Sequence, residues 1–361
     1  MLRDRTAAGP PGSASQAGRL KRVLSDLAPV PRAPAGAAQA ILTAVMDVLR
    51  ADGGALVLMD PQTSLFTTGA VSQLPPASCH PFFRFETDSE SDRSFRRLAA
   101  TGRGAVALSR DGTDDGYADS VMRPHGFADE LRVVCRDAGT AWAALSLWRR
   151  SSQEAFTAGE EAALDAVAGT IGVVIREVVV ASIGAAANPG TRHVVVLDGD
   201  DVIESSDRSA EDLPQLTEPD LAVYRHLDHL KELARREPAF STVIGMSDGR
   251  WLAAHGAPLG PGRVAIVLTS ATPADLFGVV VAGAGLTPRE VEVTRLICRG
   301  HSDAEIAGLL TISPHTVHDH VRSVRAKLGV RTRAEVAAKV FAERYFDGFL
   351  STAALDHAPR A

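Results

Sequence analysis

Residues 286–341 read LTPREVEVTRLICRGHSDAEIAGLLTISPHTVHDHVRSVRAKLGVRTRAEVAAKVF, and this stretch decides the fold of the carboxy-terminal part of the chain. Three times, a hydroxyl residue is followed three positions later by a glutamate, a pattern in which the two side chains cap a helix start reciprocally. The pairs are Thr287 with Glu290, Ser302 with Glu305, and Thr332 with Glu335. Each pair predicts a helix that begins directly after the hydroxyl residue.

A fourth helix start and two helix ends complete the pattern. Ser313 precedes Pro314, and proline favours the first position of a helix. Gly300 and Gly329 stand where a helix end needs left-handed backbone. The stretch therefore predicts four short helices, at about 287–299, 302–310, 313–328 and 332–341.

The third predicted helix has an apolar face and a polar face. Its apolar residues recur at helical spacing, at Val317, Val321, Val324 and Leu328. They are expected to pack on apolar residues of the other helices, namely Val293, Leu296, Ile306, Leu309 and Leu310. The opposite face carries His315, His318, Asp319, Arg322 and Ala326, flanked by Arg325 and Lys327. Such a helix, preceded by a short helix and a tight turn, is typical of one that enters a DNA major groove.

The charge of this stretch differs from that of the rest of the chain. Residues 286–341 hold nine basic and six acidic residues, a net charge of +3, whereas the whole chain carries −6. A basic module on an acidic body favours nucleic-acid binding, because the positive field lies where phosphates would be contacted. A solvated helix face in a small bundle would carry the same charges, so charge alone does not decide between the two.

The stretch resembles the LuxR-type helix-turn-helix domain of bacterial transcription regulators over about 56 residues. The matching residues are Leu286-Thr287-Pro288-Arg289-Glu290, Gly300, Ser302, Glu305-Ile306-Ala307, Leu310, Ser313, Thr316-Val317, His320-Val321, Lys327-Leu328-Gly329-Val330 and Arg333-Ala334. The resemblance implies a four-helix fold whose second and third helices form the helix-turn-helix. It also implies a dimer, which in the family often forms through the last helix.

Two departures from the family concern the DNA sequence that would be recognised. His318 stands where the family commonly has lysine, and a neutral imidazole donates less reliably to phosphate or guanine. Asp319 stands where a small or polar residue is usual. Its carboxylate could accept a hydrogen bond from cytosine N4, or could repel phosphate.

The DNA contacts are expected on the third helix and at the helix starts beside it. The candidates for base edges are His318, Asp319 and Arg322, from the helical wheel together with the family positions. The candidates for phosphate contacts are Ser302, Ser313, Thr316, Arg325 and Lys327. They offer hydroxyls, helix amino termini or cations. The expected partner is double-stranded DNA, bound by a homodimer.

Residues 37–181 show a helix, antiparallel strands and a closing helix. Apolar spacing predicts helices at 37–49 and 94–100 and strands at 55–59 and 105–108. Two adjacent strands, 131–136 and 141–148, are joined by a tight turn, and residue 156 begins a long helix. This order is similar to that of a GAF-type sensor domain, mainly in its last third. The resemblance implies a small-molecule ligand or a partner protein, and no residue identifies either.

Residues 192–270 show a second sensor-like pattern. Strands are predicted at 193–197, 202–205, 240–246, 250–257 and 263–270, with a helix at 221–236. The order is similar to that of a PAS-type domain, most recognisably in Asp248-Gly249-Arg250-Trp251-Leu252. Residues 271–285 form the connector. Within it, residues 276–281 are expected to pack as a helix beneath the DNA-binding module or against a partner chain.

The chain ends and the overall composition add context. Residues 1–36 are rich in Ala, Gly, Pro and Ser and are predicted to be a disordered tail, apart from a short helix near 17–27. Residues 346–361 are predicted to be a carboxy-terminal tail. Three widely spaced cysteines without a CxxC pair favour a reducing cytoplasm. The sequence shows neither a secretory signal pattern nor an apolar run that would span a bilayer.

More specific chemical interpretations fail on spacing. Residues 194–201, VVVLDGDD, resemble the start of a phospho-receiver domain, but no acceptor aspartate follows a later strand. His226 and His229 lack further ligands in sequence, so they are interpreted as surface histidines on a helix rather than as a metal site. The glycines at 283 and 285 begin like a dinucleotide loop, but Pro288 stands where the third glycine is needed. We therefore expect no enzyme activity and no metal, and identify no cofactor.

Taken together, the sequence predicts a multidomain α+β protein. GAF-like and PAS-like α/β sensor domains at 37–181 and 192–270 precede an all-α four-helix LuxR-type helix-turn-helix domain at 286–345. The expected function is sequence-specific DNA binding and transcription regulation, modulated by the amino-terminal half, with the helix at 313–328 in the major groove. Two alternatives stay open: a sensor or scaffold whose helix-turn-helix does not bind DNA, and a ligand-processing enzyme in the amino-terminal half.

Overall fold

The computed structural model describes residues 13–27, 33–74, 79–87, 92–111, 116–183, 192–198, 203–206, 221–246 and 250–342. Within these ranges the chain forms two antiparallel five-stranded sheets, each with helices, and then a helical unit. The predicted multidomain α+β class is confirmed. None of the helices in the described ranges is both long and apolar enough to span a bilayer.

Within the residues that the structure describes, the first unit contains six α-helices and five strands. Its helices are α1 (Ser13–Leu27), α2 (Pro34–Leu49), α3 (Cys79–Glu86), α4 (Phe95–Thr101), α5 (Leu108–Asp111) and α6 (Ala158–Ser182). Its strands are β1 (Gly53–Met59), β2 (Phe66–Ser72), β3 (Val106–Ala107), β4 (Phe127–Asp137) and β5 (Thr140–Arg150). A π-helical turn (Ala118–Met122) and a 3-10 turn (Arg123–His125) precede β4.

The sheet of the first unit has the strand order β2-β1-β5-β4-β3, and its long central strands are buried on both faces. Side chains of α1, α2 and α6 cover one face, and those of α3 and α4 cover the other. The β4–β5 hairpin turns through Ala138 and Gly139, whose φ angles are 48° and 84°. Two consecutive left-handed residues match the twist of the strands, which explains the tight turn predicted there.

The amino-terminal tail differs from its prediction. Residues 1–36 were expected to be disordered apart from a short helix, yet α1 extends over Ser13–Leu27 and packs on α6. Leu20 and Leu24 are each 1% exposed and belong to the same core as Ile171 and Ile175. Leucines at four-residue spacing give the segment an apolar stripe, which outweighs its polar composition. Residues 1–12, 28–32 and 346–361 lie outside the described ranges.

The second unit repeats the strand order of the first. Its strands are β6 (Arg192–Leu197), β7 (Ile203–Ser206), β8 (Phe240–Gly245), β9 (Trp251–Gly260) and β10 (Arg263–Ser270). They lie in the order β7-β6-β10-β9-β8, with antiparallel pairing throughout. One helix, α7 (Leu221–Arg236), packs on this sheet through Leu230 and Ala234.

The two sheet-containing units touch along β2, β8 and α7. The Thr242 hydroxyl donates to the buried Asp60 carboxylate at 3.1 Å. His229 is 3% exposed, and its ring lies 5.1 Å from the ring centroids of both Phe66 and Phe83. The interpretation of His229 as a surface residue is therefore wrong, because α7 turns it toward the first unit. The side chain of His226 lies outside the described residues.

The helical unit consists of α9 (Pro288–Cys298), α10 (Asp303–Leu310), α11 (Pro314–Leu328) and α12 (Arg333–Ala337), which continues into a π-helical turn (Ala338–Ala342). The connector helix α8 (Pro273–Gly283) precedes it. Leu276 and Val279 of α8 enter the core of the first unit. Phe277 and Val281, on its other side, enter the core of the helical unit. One short helix thus contributes to two cores.

Candidate nucleic-acid interface

Side-chain caps fix the helix starts of the helical unit. Thr287 and Ser302 each accept a hydrogen bond from the backbone N–H three residues on, and Glu290 and Glu305 accept one from the N–H of the cap residue. The Ser313 hydroxyl accepts the N–H of Thr316 at 3.0 Å, without a reciprocal glutamate. These three starts are the predicted ones, because each depends on a local hydrogen bond that the sequence encodes.

The fourth start is only half of the predicted capping box. The Thr332 hydroxyl accepts the N–H of Glu335 at 3.2 Å. The Glu335 carboxylate, however, accepts the N–H of Arg331 at 2.7 Å rather than that of Thr332. At the other end of α11, Gly329 adopts a φ of 68°, the left-handed ending that was predicted.

The apolar stripe of α11 anchors this helix in the core. Val317 and Val324 are fully buried, and Val321 and Leu328 are almost fully buried. They cluster with Val293, Ile297, Ile306 and Val336 of the neighbouring helices. Leu309 was expected in this core but is 58% exposed. Because adjacent residues of a helix point about 100° apart, the inward placing of Leu310 turns Leu309 toward solvent.

A buried carboxylate connects α9 to α11. Glu290 is 4% exposed, and its carboxylate accepts hydrogen bonds from the Ser323 hydroxyl at 2.6 Å and from the Lys327 ammonium at 2.7 Å. Burial alone would raise its pKa, but the bonds from Lys327, Ser323 and Thr287 outweigh it and lower the pKa to about 2. This link fixes the rotation of α11 about its axis.

With that rotation fixed, α11 turns a polar face to solvent. The side chains of His315 and Arg322 are 85% and 72% exposed, and that of Asp319 between them is 43% exposed. Asp319 Oδ1 lies 3.0 Å from Arg322 Nη2, and Oδ2 lies 3.7 Å from His315 Nε2. His318 is exposed as well. In the part of the chain that the structure describes, this face is exposed and accessible to a partner.

The other predicted contact residues occupy different positions. Thr316 is half-buried and shares a 2.8 Å hydrogen bond with the exposed Ser313 at the start of α11. Ser302 is exposed at the start of α10, on a separate element. Arg325 is half-buried in the last turn of α11. The helix therefore brings the base-edge candidates together, with Ser313 and Thr316 at its amino terminus and Arg325 near its carboxyl end.

Lys327 has a partner that its position in sequence does not indicate. Its side chain is 33% exposed, and its ammonium forms an ion pair with Glu290. A cation that neutralises a buried carboxylate is less available to phosphate, so a DNA contact by Lys327 stays a prediction. His315 is on the predicted polar face but not among the predicted site residues. It stands four residues before Asp319, on the same face of the helix, and its Nε2 lies 3.7 Å from Asp319 Oδ2.

Comparison with known proteins identifies the helical unit. Residues 284–340 match the model of the LuxR family of bacterial regulatory proteins, so this unit is a LuxR-family domain. Proteins of Mycobacterium bovis and Mycobacterium tuberculosis, named as HTH-type transcriptional regulators, are 45% identical to this chain over 51 residues. These residues are 14% of this chain and 6% of each relative. The chain thus matches only a small part of the relatives' length.

Solved structures resemble larger parts of the chain at lower identity. The GAF domain of a phosphoenolpyruvate-protein phosphotransferase from Coxiella burnetii is 14% identical, with 46% of this chain and 95% of that chain covered and a TM-score of 0.35. Escherichia coli SdiA is 14% identical, with 90% and 96% covered and a TM-score of 0.33.

Proposed function

We propose that this protein is a transcription regulator that binds double-stranded DNA with α11 in the major groove. The observation that carries the proposal is the orientation of α11 within a LuxR-family domain. Its valines are buried in the core, and its face with His315, Asp319 and Arg322 is exposed. A helix with this division of faces can enter the groove without disturbing its own fold.

Within this function, we assign contacts with base edges to the exposed face of α11, and contacts with phosphates to the ends of the helices. Arg322 has the donor geometry that suits guanine O6 and N7, and His318 stands one turn before it. Ser313 and Thr316 lie at the amino terminus of α11, where the helix dipole and free N–H groups favour a phosphate. Ser302 offers the same at α10. Arg325 and Lys327 supply cations toward the other end.

The assignment is tested by selecting bound sequences from a random duplex library with the full-length protein, and then titrating the selected site and an unselected duplex. Wild type is expected to enrich a defined sequence. Arg322→Ala should cost about 1–3 kcal/mol at the selected site and relax the preference at one base pair. If wild type binds no duplex even at low salt, the alternative of a scaffold with a non-binding helix-turn-helix holds instead.

Arg325→Ala tests the phosphate assignment separately. Because a phosphate contact carries no sequence information, this variant should weaken binding to selected and unselected duplexes equally. The slope of log affinity against log salt should fall by about 1, since one fewer counterion is released. Arg263→Ala, which removes a positive charge from the second unit, is the matched control and should leave the slope unchanged. A loss confined to the selected site would contradict the phosphate role.

The amino-terminal half is proposed to modulate DNA binding. Two units with the same strand order precede the LuxR-family domain, and α8 joins its core to that of the first unit. The element orders support GAF-like and PAS-like sensor domains at 37–181 and 192–270, which would respond to a small molecule or a partner protein. We further propose a homodimer on DNA, located in the cytoplasm where the DNA lies. Analytical ultracentrifugation with and without the selected duplex tests the dimer.

A further inference from the structure

The exposed face of α11 contains a carboxylate between two nitrogen-bearing side chains. Asp319 stands four residues after His315 and three before Arg322, so all three side chains share one face of the helix. One carboxylate oxygen is 3.0 Å from Arg322 Nη2, and the other is 3.7 Å from His315 Nε2. The aspartate is also the least exposed of the three. Its acceptor oxygens are thus directed at neighbours on its own helix.

This arrangement argues against Asp319 as a reader of bases. A carboxylate that reads cytosine must direct an oxygen at the base edge, and if Asp319 turned away from Arg322 to do so, the pair would be lost. The carboxylate would then bring an unneutralised negative charge close to the phosphates. When the same carboxylate is paired with Arg322, its charge is neutralised, so it adds little repulsion as the helix approaches the phosphates. The pairing therefore favours a role on the protein side of the interface.

The pairing also leaves Arg322 able to bind a base. A guanidinium has five N–H donors, and the contact of Arg322 with Asp319 is made through Nη2. The remaining donors can still meet two acceptors of one guanine. A free arginine side chain loses rotamer entropy when it is immobilised. Part of that cost is removed when a fixed carboxylate already restricts the side chain.

We propose that Asp319 is a positioning residue that holds the Arg322 guanidinium for bidentate contact with a guanine, and that it reads no base itself. The inference rests on the proposed function, because it assumes that α11 enters the major groove. It departs from the expectation that Asp319 contacts a base edge. It also assigns the DNA preference of this helix to a side-chain pair rather than to two independent residues.

The test is selection from a random duplex library with the full-length wild type, Asp319→Ala, Arg322→Ala and the double variant. Asp319→Ala should relax the preference at the same base pair as Arg322→Ala, and at no other. Its affinity for the selected site should fall by about 5- to 100-fold. Its affinity for unselected DNA should stay or rise, because a negative charge has been removed. In the double variant the two losses should not add, since both remove one contact.

Two further variants separate positioning from a general effect of charge. Asp319→Glu keeps the carboxylate and should restore part of the preference at that base pair. Glu292→Gln is the matched control, since Glu292 forms an equivalent pair with Arg289, three residues away on α9, at 2.6 Å. It should leave the selected sequence unchanged.

Two results would overturn the inference. One is a loss of preference by Asp319→Ala at a base pair that Arg322→Ala does not affect, which would make Asp319 an independent reader. The other is an unchanged preference in Asp319→Ala. If wild type enriches no sequence at all, the proposed function fails, and that outcome is distinct from both.

Discussion

The carboxylate of Glu290 accepts hydrogen bonds from Thr287, Ser323 and Lys327, all of which favour its charged form. Its pKa in the folded chain is about 2, below the ordinary value of 4.5. A group whose pKa is lowered by folding stabilises the fold above its unfolded pKa. That contribution is lost as pH falls from about 4.5 toward about 2.

We predict that acid loosens the helical unit through this residue. Between pH 6 and pH 3, the contribution of Glu290 to the opening free energy of α11 amides in wild type should fall by at most about 2 kcal/mol, because only the range from the ordinary pKa of 4.5 down to pH 3 is crossed. Glu290→Gln should lose most of this pH dependence, whereas Glu292→Gln should keep it, because Glu292 lies on the surface. Hydrogen exchange of the full chain, corrected for the intrinsic rate at each pH, gives the values. Equal pH dependence in all three proteins would contradict the prediction.

A second buried charge lies in the first unit. Arg132 pairs with Glu86 at 2.6 Å and with Glu130 at 3.0 Å, and all three side chains are almost fully buried. Four aromatic rings surround the guanidinium, with centroids 4.5 to 5.9 Å from it. Burial raises the pKa of Glu86, so this carboxylate depends on Arg132 to stay charged. The cluster lies between the sheet and α3 and α4.

Arg132→Met should destabilise the first unit by about 3–5 kcal/mol, because it leaves two buried carboxylates without their cation. Arg110→Met is the control, since its pair with Glu161 is half exposed and should contribute about 0–1 kcal/mol. Urea unfolding, followed by tryptophan fluorescence, measures both, since two of the three tryptophans, Trp142 and Trp148, lie in the first unit. A similar shift of the midpoint in the two variants would argue against the dependence of the fold on the Arg132 pairs.

Among the elements, α11 has one face that is buried in the core and one that is exposed. Val321→Asp should unfold the helical unit, because it places a charge without a partner in the core that Val321 shares with Val293 and Ile306. His318→Asp introduces the same side chain on the exposed face and should leave the fold intact while it abolishes DNA binding. Limited proteolysis of the full chain distinguishes the two, since only Val321→Asp should expose cleavage sites within α9–α12.

The helices of this unit could be predicted closely because their signals are local. Caps, glycine ends and the valine stripe all act within about four residues. Strand β2 was not predicted in this way, because its sequence, FTTGAVS, has a glycine in its middle and no regular alternation of apolar and polar residues. Its pairing with β1 explains it. A Cβ on Gly69 would lie 2.5 Å from the Leu56 carbonyl oxygen, so a glycine is needed for the close approach of the two strands.

In the candidate site, too, some features follow from the local sequence and others from contacts between distant elements. A helical wheel predicts that Asp319 and Arg322 share a face, but not that they pair. The partner of Lys327 lies 37 positions away on α9, so only the tertiary structure reveals it. The buried His229 and Arg132 likewise depend on elements that are distant in sequence. Patterns of short range thus predicted which helix carries the site, and packing decided which side chains are available.

On the scale of the whole molecule, α8 is the element through which the LuxR-family domain meets the first unit. Its start is fixed by a capping box between Thr272 and Asp275. Arg176 of α6 donates to the carbonyl oxygen of Gly283 at its end, at 3.4 Å. Val243 and Trp251 of the second unit join the same core as Leu276. A change in either sheet-containing unit can therefore reach the LuxR-family domain through this helix.

We predict that substitutions on the two faces of α8 loosen different parts of the chain. Phe277→Ala removes a ring from the core of the helical unit and should cost about 3–5 kcal/mol there, so exchange of amide protons in α9–α12 should accelerate. Leu276→Ala removes a side chain from the other core and should accelerate exchange in the last turns of α6, at a cost of about 2–5 kcal/mol.

Hydrogen exchange with mass spectrometry on the full chain resolves these segments. The adjacent positions of Leu276 and Phe277 make each variant the control for the other, because both shorten one side chain on the same helix. Each is almost equally buried, at 7% and 8% exposure. If both variants accelerate exchange in both units alike, α8 acts as part of one continuous core and does not separate two. If the effects divide as predicted, α8 joins two separate cores, and a shift of this helix would couple the first unit to the LuxR-family domain.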